Sequence, residues 1–122
     1  MTETSIGICL RIALVLLLAT GAVSAKEPDC TGAERWPAAS AFVYLKNAGM
    51  TDNARLDFTK TRVSRLASEK IGKDLYRQVH LIDFTEKTGK AIQVITSNEA
   101  SSEECSMSGV QVFVVSARLG AQ

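Results

Sequence analysis

The chain has 122 residues, of which 46% are hydrophobic and 22% are charged, and its formal net charge is +1. This length and balance allow one domain, and they exclude a large multidomain enzyme, a polybasic nucleic-acid-binding protein and a disordered acidic tail. In chain order the first feature is an apolar segment, in which Arg11 is the only charged residue between Ile6 and Val23.

This N-terminal segment is typical of a secretory signal peptide. Its apolar core, around Ile12–Ala19, is too short to cross about 30 Å of hydrocarbon, which requires about 20 residues. Because Val23-Ser24-Ala25 matches the small side chains that signal peptidase accepts, we predict cleavage of residues 1–25 after Ala25. Residues 26–122 then form a single small α+β domain, periplasmic or secreted. Retention of the segment as a membrane anchor is the alternative.

Cysteine usage agrees with export. Removal of the signal peptide takes Cys9 away and leaves Cys30 and Cys105. An isolated pair in an oxidising compartment most often forms a disulfide, so we predict a Cys30–Cys105 bridge. A metal site is disfavoured because His80 is the only histidine and no CxxC motif occurs, and a nucleophilic thiol would need an activating base. The sequence therefore predicts neither a metal nor a cofactor.

The next segment is predicted to be a helix running from Trp36 to Gly49. Pro37 suits the first helical position, where the missing N–H costs nothing, and Gly49 is a typical residue just past a helix end. The run from Phe42 to Leu45 has enough β-propensity to form a strand instead.

Beyond Ala54 the pattern changes to the period of two that strands show. Turn signals lie at 69–74 and at 85–90, where Gly89 is available for a positive φ, and a loop of Ser and Glu is predicted at 97–109. The last strand is the most apolar and is predicted at the centre of the sheet. The four predicted strands are 56–67, 75–84, 91–96 and 110–116.

One helix followed by four strands on short connections predicts an antiparallel meander that packs its apolar face on the helix. The predicted fold is α+β, with one N-terminal helix on a curved four-stranded antiparallel sheet and one disulfide. This layout resembles the cystatin-like roll in the order of its elements only, and no motif transfers a function.

Residues suited to catalysis are few. His80 lies in mid-strand with Gln78 and Ile82 on one face, whereas Asp83 is on the other, so we predict a half-exposed strand histidine and not a general base. No G-x-S-x-G motif is present. The carboxylates of the 97–109 loop are predicted to be solvated, because they lack the opposed geometry of a glycosidase and the spacing of a calcium loop.

Positive charge concentrates on the first two predicted strands. If these strands pair, Arg65 and Arg77 could lie near one another and receive an acidic partner surface, although edge strands also carry such charges to prevent aggregation. Tyr76 is predicted at the surface, and Trp36 is predicted to pack over the disulfide. The basic residues concerned are Lys60, Arg62, Arg65, Lys70, Lys73 and Arg77.

The leading functional hypothesis is an exported, non-enzymatic binding protein that recognises another exported or envelope protein, as an inhibitor or immunity-type factor does. No nucleic-acid partner and no stable membrane insertion after signal cleavage are expected. The predicted contact residues are Arg65, Tyr76, Arg77, Glu103 and Glu104.

Two other functions stay open. One is a small-ligand carrier with a cavity between helix and sheet, and the other, less favoured, is a hydrolase centred on His80. The carrier would need space beneath Phe42, Leu45, Val79, Ile92 and Val112, whose bulk favours a filled core instead.

Overall fold

The computed structural model describes residues 26–117 and 119–120, which contain one α-helix and four strands. The strands form a single antiparallel sheet in the order β1-β2-β3-β4. The predicted α+β class, the four-stranded antiparallel sheet and the single disulfide are therefore confirmed. The predicted signal peptide, residues 1–25, lies outside the described residues. The elements are α1 Trp36–Asn47, a one-turn 3-10 helix Phe58–Lys60, β1 Arg62–Gly72, β2 Leu75–Thr85, β3 Ala91–Ala100 and β4 Gln111–Val114.

Helix α1 ends in a way that its sequence explains. Gly49 adopts φ +73°, a conformation open to glycine without steric cost, and its N–H donates to the Lys46 carbonyl at 3.0 Å. The next N–H, of Met50, donates to the Leu45 carbonyl at 2.9 Å. This pair of bonds is the Schellman arrangement, which turns the chain sharply and fixes Met50 beside the last turn of the helix.

The hydrophobic core lies between α1 and one face of the sheet. Ala38, Ala41 and Leu45 supply the helix side, where two alanines permit a close approach of helix to sheet. Phe42 is only partly buried, and its ring meets Phe58 edge to face at 4.9 Å. The core residues from the sheet and its flanking loop are Leu56, Ile82, Phe84, Ile92 and Val94.

The disulfide joins the segment that precedes α1 to the loop between β3 and β4. Cys30 and Cys105 have Cα atoms 5.8 Å apart and are 75 positions apart in sequence. Such a bridge is compatible with an extracellular or periplasmic location. No helix among the described residues is long and apolar enough to span a membrane.

The first strand does not begin where its sequence pattern predicts. Leu56 forms only an isolated bridge with Glu86, and the Asp57 carboxylate accepts the Thr59 N–H at 3.1 Å, which starts the 3-10 turn. This local side-chain bond competes with strand pairing. The strand continues instead through Gly72, and the turn contains only Lys73 and Asp74.

The predicted centre of the sheet is wrong. The last strand, β4, is the most apolar but is an edge strand, because the order β1-β2-β3-β4 leaves its outer side without a neighbour among the described strands. The predicted 97–109 loop is also too long, since β3 extends to Ala100 by pairing with β2. Pairing with an adjacent strand outweighs the low β-propensity of Ser97, Asn98 and Glu99.

Candidate binding site

A surface groove of about 410 Å³ lies between the last turns of α1 and strand β4. Leu45 forms part of its floor, and Met50, fixed by the helix end, forms part of its wall. The side chains of Val112 and Val114 line its β4 side, because they lie on the same sheet face as the core residues Thr96 and Val94 with which they pair. The full lining is Tyr44, Leu45, Ala48, Met50, Val110, Val112 and Val114.

Two smaller features extend this groove at its ends. A cleft of about 280 Å³ continues past Tyr44 and Val43 to Trp36, whose indole N–H donates to the Ser108 carbonyl at 2.9 Å. At the other end, a cleft of about 400 Å³ begins at Met50 and carries Arg55 and Lys90 in its lining. The result is a mostly apolar channel with positive charge at one end. We call these three features together the α1–β4 groove.

The two edges of the sheet differ in chemistry. The β1 edge carries Arg62, Arg65, Glu69 and Lys70, and two register shifts interrupt its ladder with β2. Charges and bulges of this kind protect an edge from pairing with other chains. Residues 110–117, which contain β4, hold no charged side chain, and the β3–β4 register is regular. The unprotected edge therefore lies beside the α1–β4 groove.

The outer face of the sheet carries a second apolar feature. Leu81 and Ile95 pair directly across β2 and β3, and Phe113 pairs with Ile95 on β4. Their side chains share the face opposite α1, since they alternate with the buried residues of each strand. Phe113, 57% exposed, brings this apolar strip to the free edge.

Arg65 and Arg77 are not brought together. Arg65 pairs with His80 on the helix side of the sheet, and its guanidinium donates to Glu27 Oε2 at 3.1 Å and to the Pro28 carbonyl at 3.2 Å. Arg77 lies on the outer face, where it pairs with Glu99 at 3.5 Å. The bulge between Arg65 and Ala67 shifts the alternation of β1, which a count of residues could not foresee.

The structure also corrects the placement of two aromatic residues. Tyr76, predicted at the surface, is only 6% exposed, because it occupies one of the buried positions of β2, on the same face as Gln78 and His80. Trp36, predicted in the core over the disulfide, is 41% exposed and lies at the end of the α1–β4 groove.

Glu103 and Glu104 are exposed on the β3–β4 loop, as solvated carboxylates are expected to be. Together with Arg35 they line a small polar cleft of about 260 Å³ against the segment Lys26–Asp29. Glu104 accepts a hydrogen bond from the Ser106 hydroxyl at 2.7 Å. This loop therefore faces the N-terminal segment of the domain. The turn between β1 and β2 also holds this loop in place, because the Asp74 carboxylate accepts hydrogen bonds from the backbone N–H and the hydroxyl of Ser102.

A layer of polar side chains is buried on the helix side of β2 and β3. Gln78 pairs across the strands with Asn98, and His80 pairs with Thr96. Gln78 Nε2 donates to the Pro28 carbonyl at 2.9 Å, and Asn98 Nδ2 donates to the Cys105 carbonyl at 2.8 Å. The layer thus anchors both segments that the disulfide joins.

His80 is fully buried in this layer, so the predicted half-exposed position is wrong. Both ring nitrogens lack a hydrogen-bond partner among the described residues. Burial lowers the pKa of His80 below its ordinary value, the Arg65 charge acts in the same direction, and Asp29 opposes them. Among the described residues, therefore, no serine, threonine or cysteine side chain is hydrogen-bonded to the imidazole.

The residues beneath which a small-ligand carrier would need internal space lie in different places. Leu45 and Ile92 belong to the packed core, whereas Val79 lies on the outer face of β2. Open space lies at the surface, in the α1–β4 groove and in other clefts, among them a polar cleft of about 510 Å³ lined by Arg77, Glu99 and Gln111. No group of three or more metal-binding side chains occurs among the described residues.

The sequence contains a signal for the α1–β4 groove that residue-type reasoning missed. Val110–Ser116 is a β-rich run without charge, and such a run at a sheet edge is a pairing site. Only the position of the strand in the sheet turns this run from a core strand into an exposed edge. Comparison with protein-family models, with curated proteins and with solved structures found no match.

Proposed function

We propose that this chain is an exported, non-enzymatic protein that binds another exported or envelope protein, acting as an inhibitor or immunity-type factor. The observation that supports this best is the continuity of the α1–β4 groove with an uncharged strand edge. Contiguous exposed apolar surface is typical of an interaction site. Arg65, Arg77 and the Glu103–Glu104 loop remain proposed secondary contacts.

The elements around the groove suit recognition better than catalysis. The Schellman turn fixes Met50, and the β3 ladder fixes Val112 and Val114, so the apolar walls stand on regular structure. Rigid walls reduce the entropy lost on binding. We also propose that the sheet curves around α1 in a cystatin-like roll, which would leave the β4 edge open beside the last turn of the helix.

A second candidate function is supported by the size of the groove. About 410 Å³ is within the range of small-molecule sites, roughly 300–1,000 Å³. A small apolar ligand held between Tyr44, Met50 and Val112 would make the chain a carrier. Protein binding ranks first because the groove continues into clefts at both ends and into a strand edge.

The test compares two methionines of similar exposure in different places. Met50 is 37% exposed and lines the groove, whereas Met107 is 47% exposed and lies on the β3–β4 loop. Tagged wild-type protein, Met50→Asp and Met107→Asp are expressed in the native host, and proteins bound after export are identified by mass spectrometry.

We expect wild type and Met107→Asp to retain the same partner protein and Met50→Asp to lose it, because a carboxylate would be desolvated in an apolar wall. Equal retention by both variants would contradict a groove-mediated interaction. Recovery of no protein, together with a small molecule in the extract of purified wild type, would favour the carrier.

A further inference from the structure

The backbone of β4 presents unused hydrogen-bonding groups in a defined pattern. The Val115 N–H donates to the Gln93 carbonyl at 2.9 Å, so Val115 belongs to a hydrogen-bonded pair with β3. In an antiparallel ladder such pairs alternate along the strand. Phe113 therefore also directs its N–H and C=O toward β3, whereas Val112 and Val114 direct theirs to the free side. Within residues 26–117 these two donors and two acceptors have no strand beside them.

The side chains of these two residues point into the α1–β4 groove. A strand added beside Val112 and Val114 would thus place alternate side chains over the groove, next to Tyr44 and Met50. Its other side chains would lie on the outer face near Phe113, where the strip with Ile95 is apolar. The residues that offer free backbone groups, Val112 and Val114, are therefore the same residues whose side chains line the groove.

Charge distinguishes one end of this edge from the other. Arg55 is bound to the buried carboxylate of Glu86 at 2.9 Å. Lys90 lines the same cleft, beside the end of β4, and it has no ion-pair partner among the described residues. A carboxylate on the incoming strand would meet this charge only if it lay beside the Val115 end of β4.

We propose that the partner binds through an extended segment that adds to β4 as a fifth, antiparallel strand, with apolar side chains at alternate positions and an Asp or Glu at its N-terminal end near Lys90. Antiparallel addition is the more stable pairing, and it puts the N-terminal end of the segment beside Val115. This inference rests on the proposed protein-binding function and adds the mode of recognition and the chemistry of the partner.

The test uses a random heptapeptide library displayed on phage and selected on the purified oxidised domain. Enriched sequences are made as free fluorescent peptides, and their affinity is measured by fluorescence polarisation. We expect alternating apolar residues preceded by an acidic residue. Lys90→Glu should weaken these peptides about tenfold, because attraction becomes repulsion, and Lys87→Glu, on the same turn but outside the groove lining, should not.

The strand itself is tested from both sides of the contact. Val114→Pro removes an N–H that points to the free side and leaves the β3-directed groups of Phe113 and Val115 in place, as proline at a strand edge allows. We expect at least about a tenfold loss of affinity in Val114→Pro and near wild-type affinity in Val114→Thr. A second measurement changes the peptide and leaves the domain unaltered, so it does not depend on the folding of a variant. Each backbone N–H of the peptide is methylated in turn, and affinity should fall only at every second position, where the N–H faces β4.

The experiments distinguish a failure of the strand-addition mode from a failure of the protein-binding function. If selection yields no peptide, or if N-methylation has no period of two, strand addition is wrong. If the peptides bind but the native partner is lost only with Met50→Asp and not with Val114→Pro, the protein-binding function stands and the strand mode fails. If the domain dimerises in sedimentation and Val114→Pro makes it monomeric, the occupant of the edge is a second copy, which also contradicts this proposal.

Discussion

Removal of the disulfide by Cys30→Ala with Cys105→Ala should destabilise the domain strongly while leaving its fold recognisable. The bridge holds the N-terminal segment against the buried polar layer. The Pro28 carbonyl in this segment accepts bonds from Arg65 at 3.2 Å and from Gln78 at 2.9 Å. Without the bridge these bonds must retain the segment alone.

The magnitude follows from the length of chain that the bridge closes. The cysteines are 75 positions apart, and in the chain-entropy relation a loop of that length contributes about 4.5 kcal/mol to the free energy of unfolding. Domains of this size have about 5–15 kcal/mol in total. The double variant should therefore lose between about a third and nearly all of the wild-type stability. Fraying of the segment would uncover Gln78 and reduce stability by about 1 kcal/mol more.

The assay is equilibrium urea unfolding at pH 7.5, followed by far-UV circular dichroism and by Trp36 fluorescence. With an m value of about 1.5 kcal/mol per molar urea, the midpoint should fall by about 3 M. Wild-type protein reduced with dithiothreitol is the matched control, and its urea midpoint should fall by the same amount. A loss of less than about 1 kcal/mol in both samples would refute the reasoning, because the 75-residue closure would then not constrain the unfolded chain.

Two further predictions concern buried polar groups. Because burial lowers the pKa of His80, the unfolded state binds this proton more tightly, so stability should be complete above about pH 6.5 and fall below it by up to about 1.4 kcal/mol per pH unit. His80→Leu should remove that slope, measured by urea unfolding between pH 5 and 7.5, and a retained slope would assign it to another group. Glu86→Ala should reduce the free energy of unfolding by about 2 kcal/mol, since the buried carboxylate accepts Arg55 at 2.9 Å and Thr51 at 3.0 Å. Glu103→Ala, on the exposed loop, should change stability by less than about 0.5 kcal/mol in the same assay, and similar losses in both variants would contradict the role of Glu86.

Features governed by local chemistry could be predicted from the sequence. Gly49 ends α1 and Gly89 takes φ +91° in the β2–β3 turn, because each position requires a conformation that glycine adopts most easily. The Cys30–Cys105 bridge could be predicted because these are the two cysteines that follow the predicted signal peptide. Strand β2 was placed within one residue of its observed end, Thr85.

Features that depend on pairing between strands could not be predicted in the same way. The bulge at Leu66 puts Arg65 on the helix side and separates it from Arg77, and no residue pattern in β1 marks that shift. The sequence shows that Tyr76 and His80 lie on the same face of β2. Whether that face is buried depends on α1 and on the segment around Pro28, which cover it in the folded chain. The apolar edge beside the groove therefore depends on strand order, which the charged residues of β1 and β2 do not reveal.

The central claim is that a partner meets the sheet at its β4 edge and not at its β1 edge. Site-specific photo-crosslinking tests this claim most directly. A photoreactive phenylalanine is placed at Val114, 42% exposed on the β4 edge, or at Leu66, 55% exposed on β1. Both proteins are irradiated in the native host after export. We predict a strong crosslinked adduct with one partner protein from position 114 and at most a weak adduct from position 66, which is next to the proposed secondary contact Arg65. An adduct from position 66 alone, or equal adducts from both, would contradict recognition through the α1–β4 groove.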